Sequence, residues 1–432
     1  MKRDKDNDIS FLGKVILFFR LHDEKYKFTR LPQKIVNKQK DLAGYEPGET
    51  VVEAKLSFGF SMAKVFAISV LCIFLAVVLL FGSSIMSYEN VYYMFKDISY
   101  ISTFSETRPE TLGYSRSVGN QAFASFKNGL AVAGDSEIKL FASTGRVTMS
   151  AGSEYTNPQI CTSDSYILIY DQGSCSFSIY NSFICVYSET LDYPISSASM
   201  ANDGSFLIVT KSATYRSAVR IYNKKFKLET EYLKNDLVIS AELSSNGKYA
   251  AIASLDTEGG EAKVTISVLE RGKKNLKSST MITDSSMPYL LTFLSGNRIA
   301  LVCSEGLSVY DLNGNRKNTF LYPYKLSRVA HTSGGIALLF DERDAGANEL
   351  LVAFDDNGDM KVTVKISGSV SDMKMNKDNI FLLCDGQIIK VDSTFGHTST
   401  EKFFEEGARI VLTASGELIA CTSSLAYYLT FD

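Results

Sequence analysis

Across residues 110–432 the hydrophobic positions fall into short runs that recur at a steady interval. Eight of these runs are almost continuously apolar and follow a turn pair: NGLAVAGD from Asn128, DSYILIYD from Asp164, DGSFLIVTK from Asp203, NGKYAAIAS from Asn246, GNRIALVCS from Gly296, GGIALLFD from Gly334, DNIFLLCD from Asp378 and SGELIACT from Ser415. Runs this short, bounded by turn residues, predict strands rather than helices. The Asn-Gly, Asp-Gly and Ser-Gly pairs supply the positive φ that tight hairpin turns need.

Each apolar run is preceded by a shorter one, as in QAFASF, PQICTS, SSASMA, ISAELS, YLLTFL, SRVAHT, VSDMKM and ARIVLT. Most are followed by a third strand ending in a turn, as in KLFASTG, FSIYNS, VRIYNK, LSVYDLNGN, LVAFDDNGD and IIKVDSTFG. A fourth, more polar segment such as RKNTFLY or MKVTVKI closes the unit. Four strands in a repeat of about 40 residues is the arithmetic of a propeller blade. Radial closure also protects strand edges that an open array would expose. The last repeat, Ala408 to Phe431, holds only three strands, so ETLGYS at Glu110–Ser115 is expected to supply its outer strand. The pattern predicts an all-β, eight-bladed β-propeller. Seven blades is the competing count, and a pair of β-sandwiches is a distant third.

Upstream the pattern changes. From Val65 to Phe81 the chain reads VFAISVLCIFLAVVLLF, with only Ser69 polar, and GSSIM extends it to Met86. About 20 apolar residues at ~1.5 Å each cross a hydrocarbon core. Some 60 mostly polar residues come first, which argues against a cleaved signal peptide and for a signal anchor embedded in the lipid bilayer over residues 65–86. Lys38, Lys40, Lys55 and Lys64 precede the segment, whereas only Lys96 and Arg108 follow closely, so the positive-inside rule places the N-terminus in the cytoplasm. The expected organisation is a cytoplasmic tail over 1–62, a transmembrane helix over 63–86, a linker over 87–109 and an extracytoplasmic propeller over 110–432. In the tail, SFLGKVILFFRL from Ser10 to Leu21 reads equally as a membrane-surface or docking helix and as a plain local helix.

Charge refines the picture. The formal net charge is −3 overall, but residues 1–64 hold 13 Lys+Arg against 9 Asp+Glu, leaving 32 against 39 for the remainder. An acidic ectodomain lacks the basic stripe that phosphate contacts require, so no nucleic-acid partner is expected.

Six of the seven cysteines follow the apolar segment. Cys303, Cys384 and Cys421 share one slot that holds Ala133, Tyr170, Val209, Ala253 and Phe340 in the other repeats, which marks a packing position. Cys175 and Cys185 flank SFSIYNSFI and are a candidate hairpin disulfide. His22, His331 and His397 have no His or Cys neighbour at ligand spacing, so no metal site is expected. The carboxylates and amide of Asp355, Asp356, Asn357 and Asp359 suit calcium by type, but the glycine is misplaced for an EF-hand loop and a hairpin turn is the better reading. No nucleophile-elbow, phosphate-loop, zinc-protease or dinucleotide motif occurs, and no cofactor is expected.

The repeats resemble those of WD40-like and quinoprotein-like propellers, without their signature tryptophans, since the chain has no Trp. The layout of tail, single span and repeat domain resembles an uncharacterised family of bacterial membrane-anchored β-propellers. That resemblance implies the fold and transfers no functional residue.

The leading functional expectation is a binding or scaffolding module for a cell-envelope protein, peptide or glycan. The alternatives are an envelope polysaccharide hydrolase or lyase, and a transmembrane sensor with a cytoplasmic partner. Three connections between second and third strands are enlarged: KSATYRS from Lys211, SLDTEGGEA from Ser254 and DERDAGAN from Asp341. They nominate Tyr215 and Arg216 as contact residues, with Asp256, Glu258, Asp341, Glu342 and Asp344 as a negative rim around Arg343. Solvated hairpin tips are the plainer reading of the same loops.

Overall fold

The computed structural model describes residues 64–73, 109–257, 262–273, 275–282, 286–342, 348–394, 396–402 and 408–429. The chain divides into two compact units, 1–106 and 107–432. In the first, residues 64–73 are helical and leave Phe66, Ile68, Val70, Leu71 and Ile73 exposed. No helix among the described residues is long and apolar enough to cross a membrane. Residues 74–86 of the expected span, the tail and the linker up to residue 108 lie outside the described residues.

The second unit is a ring of eight four-stranded antiparallel sheets, with the strands of seven blades in chain order from hub to rim and the eighth completed from the start of the domain. Blade 1 is β2 (Ala122–Phe126), β3 (Gly129–Ala133), β4 (Glu137–Phe141) and β5 (Val147–Gly152); blade 2 is β6 (Pro158–Thr162), β7 (Ile167–Asp171), β8 (Ser176–Tyr180) and β9 (Cys185–Thr190). Blade 3 is β10 (Ile195–Met200), β11 (Phe206–Thr210), β12 (Ser217–Tyr222) and β13 (Leu228–Lys234); blade 4 is β14 (Leu237–Leu243), β15 (Tyr249–Asp256), β16 (Lys263–Glu270) and β17 (Leu276–Ile282). Blade 5 is β18 (Pro288–Leu294), β19 (Arg298–Cys303), β20 (Gly306–Asp311) and β21 (Arg316–Leu321); blade 6 is β22 (Lys325–Thr332), β23 (Gly335–Glu342), β24 (Asn348–Asp355) and β25 (Met360–Ser367). Blade 7 is β26 (Val370–Met375), β27 (Asn379–Cys384), β28 (Gln387–Asp392) and β29 (Thr398–Lys402). Blade 8 joins β30 (Arg409–Leu412), β31 (Leu418–Cys421) and β32 (Leu425–Leu429) to β1 (Thr111–Gly113) from the other end of the domain.

The eight continuous apolar runs are the second strands, and the geometry explains why they do not alternate. A second strand lies inside a sheet that packs against a neighbouring blade on each face, so both sets of side chains are covered. Every residue of β7 (ILIYD) and β11 (FLIVT) is buried. The outermost strands have a solvent edge, and β13 (LETEYLK) alternates accordingly. The core is therefore a series of seams between blades. Where other propellers carry tryptophan, the seam of blades 2 and 3 uses Phe177, Phe206 and Tyr222, with Phe206 and Tyr222 stacked at 4.5 Å between centroids.

Ring closure follows the sequence expectation. β1 runs antiparallel to β32 with Thr111 opposite Tyr427, Leu112 opposite Ala426 and Gly113 opposite Leu425. Leu112 is buried in the seam of blades 8 and 1 among Leu130, Val132, Phe141, Val411 and Ile419. The Tyr114 hydroxyl lies 2.8 Å from the carbonyls of both Thr422 and Leu425, donating to one at a time.

One turn expectation is corrected in detail. Asn128-Gly129 was expected to hold the first hairpin turn, but positive φ falls on Lys127 (49°) and Asn128 (61°), one residue earlier. Gly129 serves a different need: a Cβ there would lie 1.9 Å from the Phe141 carbonyl oxygen on β4. In the β12–β13 turn, Phe226 has φ of 61° where the matching turns carry Gly314 and Gly358. Its ring meets Tyr166 edge-on at 5.1 Å and Tyr187 at 5.7 Å, and this packing offsets the backbone cost.

All seven cysteines are free. Cys303, Cys384 and Cys421 are buried, as a packing slot requires. The candidate Cys175–Cys185 disulfide does not form, because Cys175 precedes β8 at one end of the hairpin and Cys185 begins β9 at the other, roughly 16 Å of strand away. The Asp355 segment is a turn: its Oδ1 accepts the N–H of Asn357 at 2.8 Å and of Asp359 at 2.9 Å. No metal-binding group of side chains occurs among the described residues.

Leu112→Ala should cost about 2–5 kcal/mol and Tyr114→Phe about 1–2 kcal/mol, read as a lowered denaturant midpoint. In both variants, amide exchange in β30–β32 should accelerate before that of blades 3 to 6. Phe226→Gly should also destabilise, since the lost ring packing outweighs the relieved backbone conformation; a gain in melting temperature would contradict that.

Candidate binding faces and central channel

Alternation of strand direction sorts the connections into two faces. The upper face carries the links between second and third strands and the links between blades. The lower face carries the first-to-second and third-to-fourth turns.

The nominated residues that lie among the described ones fall at the upper face, in a loop or at strand ends. Tyr215 and Arg216 are exposed between β11 and β12, and Asp256 ends β15 on the adjacent blade. Asp341 and Glu342 end β23 on blade 6, so blade 5 separates them from the first group. Glu258, Arg343 and Asp344 lie outside the described residues. The expected negative rim is weakened at Glu342, which is buried. Its carboxylate accepts the Tyr324 hydroxyl at 2.8 Å and pairs with Lys365 Nζ at 3.1 Å. These donors hold its pKa below the usual carboxylate range.

The upper face has a stronger feature that the loop lengths did not reveal. Tyr215, Leu233, Leu237, Met281, Met287, Tyr289, Leu321 and Tyr324 are exposed apolar side chains on this face across blades 3 to 5 and the link into blade 6, while Val118 and Leu425 are exposed on it singly at blades 1 and 8. Tyr289 is 58% exposed and Leu321 75%. The lower face exposes Val147, Ile184, Leu228 and Met360, scattered over four blades. Single exposed apolar residues are ordinary, whereas an arc from hub to rim is not. The signal lay in the strand ends: Leu237 and Tyr289 stand at outward positions where alternation calls for polar residues.

At the hub, the first strand of each blade faces the channel with an unpaired backbone edge, and side chains of neighbouring blades satisfy part of it. Leu243 N–H donates to Ser199 Oγ at 3.2 Å, Leu291 N–H to Ser240 Oγ at 3.1 Å and Ile410 N–H to Asp372 Oδ2 at 2.8 Å. Arg328 Nε donates to the Val370 carbonyl at 2.7 Å, and Cys161 Sγ to that of Ala198 at 3.3 Å. Polar residues in otherwise apolar first strands are thus stitches between blades.

One stitch is chemically distinctive. Glu242 on β14 accepts the Phe293 N–H at 3.3 Å, and on the next blade Thr292 Oγ1 lies 2.9 Å from His331 Nδ1. Burial pushes the Glu242 carboxyl up to about 7, opposed by the Thr292 hydroxyl and the Phe293 N–H. Burial, then the Lys374 ammonium, lowers the His331 pKa. The lower end of the channel opens into a funnel of about 1130 Å³, whose wall includes Phe123, Thr162, His331, Lys374, Asn376 and Lys377.

A closed ring of eight four-stranded sheets around a polar hub is a β-propeller. The chain belongs to the family of unknown function DUF5711, whose model matches residues 102–424. No curated protein matches it in sequence. Among solved structures, it is similar to BamB from Moraxella catarrhalis at 12% identity and a TM-score of 0.52, over 74% of this chain and 98% of that one. It is also similar to the dihydro-heme d1 dehydrogenase NirN in complex with DHE, at 12% identity and a TM-score of 0.51, over 69% of this chain and 72% of that one. At these identities the likeness is one of fold.

Glu242 generates a pH test. Its folded pKa lies above the unfolded value of 4.5, so the folded state holds the proton more tightly and stability falls as pH rises from 4.5 through about 7. Glu242→Gln removes the ionisation while keeping an acceptor for Phe293. Relative to the parent, it should therefore gain about 1–3 kcal/mol on moving from acidic to mildly alkaline pH, measured by denaturant titration. A difference that does not change with pH would count against a buried, raised carboxyl.

Proposed function

We propose that this protein is a membrane-anchored binding module that displays its propeller outside the cell and engages a protein of the cell envelope through the upper face. The observation that carries the reading is the apolar arc of Tyr215, Leu237, Met287, Tyr289, Leu321 and Tyr324 on one sector of one face. Tyrosine and methionine recurring on one sector, with Arg216 next to Tyr215, are the residue types that dominate protein contacts. The anchoring part rests on the uncharged stretch Val65–Phe81 and its lysine-rich N-terminal flank.

Site-specific photo-cross-linking in intact cells tests the contact. A benzophenone side chain at Tyr289 or Tyr215 should yield a discrete protein adduct, and one at Met360 on the lower face should not. Adducts of equal yield from both faces, or none from the upper face, reject the reading. The exposed thiol of Cys185 tests the location. A membrane-impermeant maleimide should label whole cells through this residue, with the signal lost in Cys185→Ser. Labelling of Cys185 only after lysis would place the propeller inside.

A further inference from the structure

We propose that the lower-face funnel binds an anionic glycan, held by Lys374 and Lys377 at its mouth. This site is separate from the apolar arc, so either can fail alone. The cavity of about 1130 Å³ exceeds the ordinary range for a single small ligand, which suits several linked units. Its wall is cationic although the chain beyond residue 64 is acidic. Lys374 and Lys377 are exposed and make no ion pair among the described residues, and His331 lies beside them on the neighbouring hub strand. The carboxylate on the wall, Asp356, is engaged by Arg298 Nη1 at 3.1 Å.

The rest of the lining distinguishes a sugar chain from an acidic peptide. A peptide bound in a propeller hub gains most from pairing its backbone with a free strand edge. Here neighbouring blades already occupy part of those edges, as in the bonds of Ser199, Ser240 and Asp372 to adjacent hub strands. Where they do, side-chain chemistry is what remains for a ligand. Thr162 and Ser333 carry hydroxyls that both donate and accept, which matches sugar hydroxyls. Asn376 Oδ1 is occupied by the N–H of Asp378 at 2.9 Å and of Asn379 at 2.8 Å, which leaves Nδ2 as its remaining donor. Phe123 and Met375 supply apolar surface for the C–H faces of sugar rings. The lysines, as point charges on flexible stems, accept carboxylates at varied positions along a chain.

The full-length protein in detergent micelles, titrated calorimetrically with an oligogalacturonate, tests the proposal. Binding is expected, weakening with added salt. It should weaken at least about tenfold in the Lys374→Ala, Lys377→Ala double variant, a loss of about 1.4 kcal/mol. Both lysines are exposed, so the variant should melt with the parent. The Lys317→Ala, Lys361→Ala variant, on the same face outside the funnel, should bind as the parent does. A neutral oligosaccharide of equal length and an oligoglutamate of equal charge should each bind at least tenfold more weakly. Absent binding, equal losses in the two double variants, or equal affinity for either comparison ligand would overturn the proposal; equal affinity for oligoglutamate would assign the funnel to acidic peptides.

Discussion

The pairing of β1 with β32 is the contact on which the rest of the structure depends. Seven sheets are complete within themselves, but a row of them without closure would leave two blade faces and one three-stranded sheet open to water. Three opposed residue pairs, the buried Leu112 and the Tyr114 hydroxyl convert that row into a ring. The gain is larger than three backbone pairs suggest, because closure also buries the seam in which Val411, Ile419 and Phe141 meet. Every other seam then has a neighbour on each side, which is why eight sequence runs could afford to be apolar without alternation.

The same burial explains which features are legible in the amino-acid sequence. The second strands are the least ambiguous because burial on both faces leaves a continuous signal, and each of the eight quoted runs became one. The missing outer strand of the last repeat was legible as a deficit, and ETLGYS filled it. Turn chemistry was legible in kind but not in register: Asn128 bears positive φ, yet the glycine beside it answers to the Phe141 carbonyl instead. Phe226 was not legible at all, since only the aromatic neighbours brought by folding compensate its conformation.

The surface was read less well, for a physical reason. Loop length reports where a chain can vary, whereas an exposed patch is assembled from strand ends of several blades. Tyr289 and Leu321 belong to the opposite edges of one blade, and Leu237 to another, so no local window contains the arc. The hub posed the same difficulty. Glu242, Thr292, His331 and Lys374 come from four different blades and look like isolated polar residues in apolar strands until the ring places them around one axis. The nominated acidic rim, by contrast, was a sequence cluster whose buried member, Glu342, is engaged by Tyr324 and Lys365.

The clasp that completes the ring is also the first described strand of the domain, so the two roles share the same three residues. Any tension between the N-terminal segment and the domain is transmitted at Pro109 and Thr111 before it reaches a single seam. Mechanical load would thus act on the shortest of the described strands, and blade 8 would be the fuse. A protein pulled from its leading end would lose its circular form while its other seven sheets were still intact.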